Sequence, residues 1–317
     1  MVSAIDPIVL FFALGLLAGV FKADLRLPPA IYEFVSTLLL LSIGMKGGVE
    51  LARQPAAGLI GQIGLTLVMG VFLTLLAFAL LRGVGRLDRA NAAAVAAHYG
   101  SVSIGTFAVA VAFLTQAAIE FEPAMPLLVV VLEVPAIVVG ILLARGLSAG
   151  TSWGEIGREV LLGRSVMLLL GGLAIGALAG DASIEPLKPL FFDLFKGVLA
   201  LFLLEMGLIA ADHLEGFRRH GFFMAAFALL IPPFFAAIGL LFAAAMGLSL
   251  GGAILLATLA ASASYIAAPA AIRSAVPEAN PALSLTASLA LTFPFNILLG
   301  IPLYQRMAEA LQHWLTG

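Results

Sequence analysis

The chain has 317 residues, of which 62% are hydrophobic and 11% are charged, with a formal net charge of −2 and a mean hydropathy of +1.14. A soluble domain is about half apolar and about a quarter charged, so this composition excludes an ordinary soluble protein and predicts an all-α integral membrane protein. The absence of cysteine excludes disulfides and cysteine-based transition-metal sites. The absence of basic clusters argues against nucleic-acid binding.

Apolar runs bounded by charge, proline or glycine predict about ten membrane spans, most of them near the length of about 20 residues that a bilayer requires. The first run is interpreted as a retained helix and not as a signal peptide, because no basic residue precedes it and Asp6 does. The fourth and ninth runs carry small polar residues in their middle. The predicted spans are 7–22, 30–50, 57–82, 90–117, 124–145, 163–180, 188–211, 220–246, 250–275 and 281–305.

The distribution of Lys and Arg predicts the orientation of the chain. Most of the 16 basic residues fall in loops that follow odd-numbered spans. Since positive residues concentrate on the cytoplasmic side, we expect a multi-pass protein of the bacterial plasma (inner) membrane with both termini outside. The longest connection, 148–162, is then cytoplasmic.

That connection separates two similar halves, residues 1–147 and 163–317. Each half holds five predicted spans, and five is odd, so the second half enters the membrane the opposite way up. Two inverted repeats of five helices are typical of secondary transporters. The residues that match at one constant offset between the halves are Gly15 with Gly176, Pro28 with Pro189, Phe34 with Phe195, and Met45 with Met206.

The polar residues inside the fourth and ninth spans predict two helix breaks at corresponding places in the two halves. An unwound backbone at membrane depth is tolerated only inside protein or beside a cavity. The N-terminus of each restarting half-helix offers free N–H donors and a partial positive charge, which suit an anion. The predicted anion site consists of Gly100, Ser101, Val102, Ser103, Ser262, Ala263 and Ser264.

Hydroxyl groups and free carbonyls at a helix break also suit sodium, a hard cation that prefers oxygen ligands. Two simpler interpretations compete with a site: Ser and Gly serve helix packing in membranes, and Asp88 suits a helix cap. His98 is interpreted as a buried, hydrogen-bonded histidine in preference to a proton carrier. The predicted cation-binding residues are Asp88, Asn91, Glu133, Thr292 and Asn296.

Four motifs resemble, in order and over nearly the whole chain, the SbtA-type sodium-dependent bicarbonate transporters. These are "YGSVSIGTFA", "LEVPAI", "ASASYIAAPAAIRSAVPEANP" and "PFNILLGIPL". The resemblance implies a core domain and a gate domain, a homotrimer in membrane lipid, and an anion site at Gly100 to Ser103 and Ser262 to Ser264. It also implies a PII-like regulatory partner on the cytoplasmic side. The chain departs from bicarbonate-transporting members at Tyr265, where they carry an acidic residue, and at Glu133, where they carry Asp.

The sequence therefore predicts a secondary active transporter, not an enzyme, that imports a small anion with sodium as co-substrate and without any other cofactor. Bicarbonate is the leading substrate. One alternative is another small monocarboxylate, with coupling to sodium or to protons through His98 or Glu133. A second alternative is a membrane enzyme or sensor without transport, for which the chain shows neither a catalytic pair nor an output domain.

Overall fold

The computed structural model describes residues 7–23, 25–53, 58–146, 154, 157–158 and 162–316. Within these ranges the ordered elements are all helical. Six helical segments are long and apolar enough to cross a membrane, and three shorter apolar helices accompany them. The prediction of an all-α membrane protein is thus confirmed. The predicted connection 148–162 lies almost entirely outside the described residues.

The helices follow one another along the chain with short connections. The first part contains α1 (Pro7–Val20), α2 (Pro29–Ala52), α3 (Leu59–Gly83), α4 (Arg89–Gly100), α5 (Ile104–Gln116) and α6 (Met125–Arg145). The second part contains α7 (Arg164–Ile184), α8 (Phe195–Ala245), α9 (Leu250–Ala260), α10 (Ala267–Ala275) and the long run α11 (Pro281–Leu315).

Glycines bend two helices where the sequence predicts the ends of spans. The predicted spans 188–211 and 220–246 correspond to two helical segments of α8, which meet at a kink where Gly221 has φ 79° and ψ 163°. Similarly, the apolar segment of α7 ends at the predicted residue 180, where Gly180 has φ 69° and ψ 172° and a second short segment begins after the kink. Only glycine adopts such a φ angle without strain. The chain therefore changes direction at these points within a turn, without a separate loop.

The last long helix, α11, contains two wide π-type turns at Thr286–Thr292 and Asn296–Gly300. Such turns are rare and occur often at functional sites. Thr292 and Asn296 lie at their ends and are fully buried. The irregular winding of α11 thus coincides with two of the residues that the sequence predicts as cation ligands.

Two helix pairs pack so closely that their backbones touch. A Cβ atom on Gly15 of α1 would lie 2.0 Å from the carbonyl oxygen of Leu204 in α8. A Cβ atom on Gly176 of α7 would lie 2.2 Å from the carbonyl oxygen of Met45 in α2. Glycine permits such contact between membrane helices. As a result, the first helix of each part packs along the second helix of the other part.

Two polar contacts also join the two parts. At the start of α4, the Asn91 side-chain oxygen accepts a hydrogen bond from the Asn280 backbone N–H at 2.7 Å, just before α11. At the start of α9, the Ser249 backbone N–H donates to the Glu122 carboxylate at 2.5 Å, just before α6. Each interrupted helix therefore begins against the entry to the last helix of the other part.

The close contact between α2 and α7 predicts that one added methyl group lowers the stability of the protein. The Gly176→Ala variant must push the two helices apart, because its Cβ atom meets the Met45 carbonyl. We expect it to lose about 1–3 kcal/mol of unfolding free energy, the usual cost of overpacking, measured by unfolding in detergent. Gly171→Ala in the same helix is the matched control, since nothing lies within 4 Å of its Cβ position. Equal stability of the two variants would contradict this packing.

Candidate functional site

The first break separates α4 from α5. Helix α4 ends at Gly100, and the next residue, Ser101, has an extended backbone with φ −86° and ψ −172°. Ser103 caps α5, because its hydroxyl accepts hydrogen bonds from the Thr106 N–H at 3.0 Å and the Thr106 hydroxyl at 2.8 Å. The other N–H groups in the first turn of α5 have no acceptor within the helix. They form a group of donors at the break.

The second break separates α9 from α10 and lies across residues 261–266. The Ser262 hydroxyl donates to the carbonyl of Leu259 at 2.8 Å and so closes the last turn of α9. The Ser264 hydroxyl accepts from the N–H of Ala268 at 3.2 Å in the first turn of α10. A second helix N-terminus, also flanked by serine, thus begins at this break.

Three hydrogen bonds join the two breaks directly. The Ser264 N–H donates to the His98 carbonyl at 2.8 Å, and the His98 ring Nδ1 lies 2.7 Å from the Ser264 carbonyl oxygen. The Ser103 N–H donates to the Ser262 hydroxyl at 2.9 Å. Because a carbonyl oxygen only accepts, Nδ1 of His98 carries a proton. The sequence-based interpretation of His98 as a buried, hydrogen-bonded histidine agrees with this geometry.

A small cavity of about 10 Å³ lies where the breaks meet. Three buried polar atoms have no hydrogen-bond partner within the described residues: Ser101 Oγ, Glu133 Oε2 and Tyr265 OH. Buried polar atoms are nearly always paired, so each unpaired atom needs an explanation, such as a missing ligand or ion. The residues that line the cavity, which include two of these three, are Val102, Ser103, Ile104, Glu133, Ser264, Tyr265 and Ile266.

Tyr265 sits against the first turn of α5. A Cβ atom on Gly105 would lie 2.2 Å from the Tyr265 hydroxyl oxygen and 2.9 Å from the Phe202 ring, so only glycine leaves room for the phenol. The edge of the tyrosine ring contacts Phe293, with ring centres 5.2 Å apart. From the sequence, Tyr265 is a position without the expected carboxylate and is not among the predicted site residues. A small residue at position 105 within the motif "SIGTF" was the available signal.

Thr292 and Asn296 connect α11 to the breaks through hydrogen bonds. The Asn296 amide donates to the carbonyl of Ala261 at 2.9 Å and accepts from the Tyr304 hydroxyl at 2.6 Å. The Thr292 hydroxyl donates to the carbonyl of Ala228 at 2.7 Å and lies 2.7 Å from the Tyr99 hydroxyl. Both side chains therefore position α11 against the interrupted helices. Sodium binding by Thr292 and Asn296 stays a prediction.

Asp88 and Asn91 lie at the other end of α4, about 18 Å along a 12-residue helix from the break. Asp88 caps this helix by accepting the Asn91 N–H at 2.9 Å, and this hydrogen bond holds the pKa of Asp88 below its usual value. The structure does not bring this pair together with Glu133. It assigns Asp88 the capping role that the sequence also suggested, and a cation role for either residue stays a prediction.

The chain also matches a known protein family. A family model described as the Na+-dependent bicarbonate transporter superfamily matches residues 7–309, which include both breaks and the small cavity between them. No curated protein matches the chain significantly. The match covers α1 through most of α11, and the order of motifs in the sequence led to the same family. The chain therefore belongs to the Na+-dependent bicarbonate transporter superfamily.

Proposed function

We propose that the protein is a secondary transporter that imports bicarbonate together with sodium across a bacterial plasma membrane, with both termini outside. The observation that carries this proposal is the meeting of two helix breaks at a cavity lined by buried polar atoms without partners. Family membership supports it. The halves 1–147 and 163–317 form two inverted repeats of five helices each. Homotrimer formation and a PII-like cytoplasmic partner belong to the same proposal.

The contacts between the two parts support the inverted repeat. Gly15 and Gly176 match at the repeat offset, and each makes the same kind of backbone contact with the second helix of the other part. The capping contacts at the starts of α4 and α9 are reciprocal in the same way. Exchanging the two halves therefore maps one set of contacts onto the other, as a two-fold axis in the membrane plane requires.

The anion is bound by N–H and hydroxyl groups without a fixed basic side chain. The N-termini of α5 and α10 meet at the breaks, and each carries a partial positive charge and free N–H donors. The unpaired Ser101 hydroxyl, next to the cavity-lining Val102, adds a further donor. The described residues that line the small cavity include neither Lys nor Arg. A site of dipoles binds a monoanion firmly enough to select it and weakly enough to release it. The present cavity has room for about one water molecule, so the breaks must separate to admit bicarbonate.

The cation is bound beside Glu133. Glu133 is 1% exposed and supplies the only carboxyl group among the described residues that line the small cavity. A buried charge without a partner is very costly, so a cation bound at this place would stabilise the ionised form. Moving bicarbonate into a cell costs about 2.3 kcal/mol per 100 mV, and one accompanying sodium ion cancels that cost. Coupling thus follows from placing both charges in one site.

Proton coupling is the second candidate, and Glu133 is the observation that favours it. The unpaired Oε2 could carry a proton in place of binding a cation. His98 is less suited to this role, because a proton on its buried ring would place a positive charge at a second, larger cavity that Arg273 also lines. Tyr265, Ser264 and backbone carbonyls at the breaks supply neutral oxygen ligands, which favour sodium. The two couplings differ in the gradient that drives uptake.

Uptake of labelled bicarbonate into proteoliposomes separates the two couplings. We expect uptake that requires a sodium gradient and disappears when choline replaces sodium at constant pH. The Glu133→Gln variant should raise the sodium concentration for half-maximal uptake at least about tenfold, because it removes the one charge beside the ion. Glu309→Gln, at an exposed carboxyl group in α11, is the matched control and should match the wild type.

A contrary result is equally clear. Uptake that ignores sodium but follows a pH gradient at zero sodium would disprove sodium coupling and assign proton transfer to Glu133. The Tyr265→Asp variant provides a second measure, since a carboxylate at that position adds a negative charge beside the cation. On the present account it increases the affinity for sodium, provided that the new charge is paired with the ion.

The two serines at the breaks predict a loss of bicarbonate affinity. Ser101→Ala and Ser264→Ala each remove a hydrogen bond to a charged ligand, which is worth about 1.5–3 kcal/mol, and we expect the KM for bicarbonate to rise accordingly. Ser101→Ala should not lower thermal stability, because its hydroxyl has no partner within the described residues. Thr115→Ala in α5 is the control, since that hydroxyl only bonds its own helix at Val111. An unchanged KM in both serine variants would mean that the serines serve only packing.

A further inference from the structure

A second, larger cavity opens on the other side of His98. Its volume is about 130 Å³, and it lies between α4, α10 and the start of α11. Most of its wall is apolar, made of Ala, Ile, Val and Pro side chains. Three of its lining residues, Arg273, His98 and Ser284, carry polar groups that can bind a ligand.

Arg273 and His98 each keep bonding capacity that the described residues do not use, and Ser284 adds a hydroxyl group. Arg273 is exposed at the mouth of the cavity and forms no hydrogen bond or ion pair with any residue that the structure describes. The Nδ1 atom of His98 donates to Ser264, so Nε2 is the acceptor of the neutral ring. Ser284 is buried at 1% exposure and lines the same space. The cavity therefore offers one positive charge, one acceptor and one hydroxyl.

His98 forms the wall between this cavity and the helix breaks. His98 lines the larger cavity, while its Nδ1 atom bonds the carbonyl of Ser264, which lines the smaller one. The His98 carbonyl also accepts the Ser264 N–H. A movement that separates α4 from the second break must break both hydrogen bonds, and it would connect the two cavities.

We propose that the larger cavity is a vestibule that binds a small oxyanion before or after it occupies the helix breaks. This inference rests on the proposed function and adds a second anion site to it. The planar guanidinium of Arg273 matches two oxygens of such an anion. Nε2 of His98 accepts a hydrogen bond, so it favours an oxyanion that carries an O–H group, such as bicarbonate, over chloride or nitrate. Arg273 lies at the end of the ninth predicted span, which faces the cytoplasm in the proposed orientation. During import the vestibule therefore receives the anion as it leaves the breaks.

The sizes of the two cavities support separate roles for the vestibule and for the site at the breaks. The cavity at the breaks has room for about one water molecule, and the vestibule has more than ten times that volume. An anion with four non-hydrogen atoms, such as bicarbonate, fits in the vestibule of the present conformation but not at the closed breaks. The vestibule is thus the place where the anion can bind while the breaks are shut.

Cysteine labelling of purified protein in detergent tests the vestibule, because the native chain has no cysteine. The probe variant is Ala279→Cys, at a position that lines the cavity, and the control is Val84→Cys, at an exposed position. Thiol-specific methanethiosulfonates of similar size and opposite charge are compared. We expect faster labelling of the probe by the anionic reagent, and protection of the probe by added bicarbonate. Neither effect should occur in the control variant.

The role of Arg273 is tested in the same probe background. One unit charge at the cavity wall changes each labelling rate about threefold, in opposite directions for the anionic and the cationic reagent. Arg273→Gln should therefore lower the ratio of the anionic to the cationic labelling rate about tenfold. Arg273→Lys keeps the charge and should keep the ratio. Thermal unfolding confirms that each variant is folded. A ratio that is the same in the Arg273→Gln variant would disprove the vestibule.

A cysteine at the second break shows whether a negative result contradicts the vestibule alone or also the proposed transport site. Bicarbonate should also protect the Ala263→Cys variant, because residue 263 lies in the second break. Protection of Ala263→Cys without protection of Ala279→Cys would disprove the vestibule and leave the proposed transport site intact. Protection of neither variant would contradict both proposals.

Discussion

The pair of hydrogen bonds between His98 and Ser264 is the contact on which the candidate site depends. Two interrupted helices expose N–H and carbonyl groups at membrane depth, where no water is available to satisfy them. By bonding to each other, the breaks satisfy part of this requirement and bring together two helix N-termini that are more than 160 residues apart in the chain. Asn296 and Ser262 extend the same connection to α11 and to the first break. The polar residues in an apolar chain are therefore explained as one buried network.

Glycine determines how closely the other helices approach this network. A Cβ atom on Gly100 would lie 1.9 Å from the Thr74 hydroxyl oxygen in α3, and one on Gly105 would collide with the Tyr265 hydroxyl. Together with the other helices, these contacts bury the breaks, and residues 101–104 and 262–265 are each at most 9% exposed. Binding and release must consequently involve a movement of whole helices, since a side-chain rotation alone would not open the backbone contacts.

The helix breaks could be predicted from the sequence, but most of the residues that contact them from other helices could not. Polar residues are costly inside apolar spans. For this reason Gly100 to Ser103 and Ser262 to Ser264 could be identified from the sequence as candidate breaks. The predicted boundary between spans 188–211 and 220–246 agrees with the kink at Gly221, because the charged segment just before it has the composition of a helix end. Tyr265 and the bracing role of Asn296 were missed because both depend on contacts between distant parts of the chain. Asp88 and Glu133 were placed in one group, although only Glu133 lies at the breaks.

The most direct test of the account is the position of a bound anion. Crystals grown with sodium and hydrogen selenite, a small oxyanion that carries an O–H group, would locate the selenium by its anomalous scattering. The account predicts a peak between the two breaks, within about 4 Å of the first N–H groups of α5 and α10, as hydrogen bonding to an oxyanion requires. Occupied sites elsewhere in the protein, with no peak between the breaks, would contradict the claim that the two helix N-termini form the transport site.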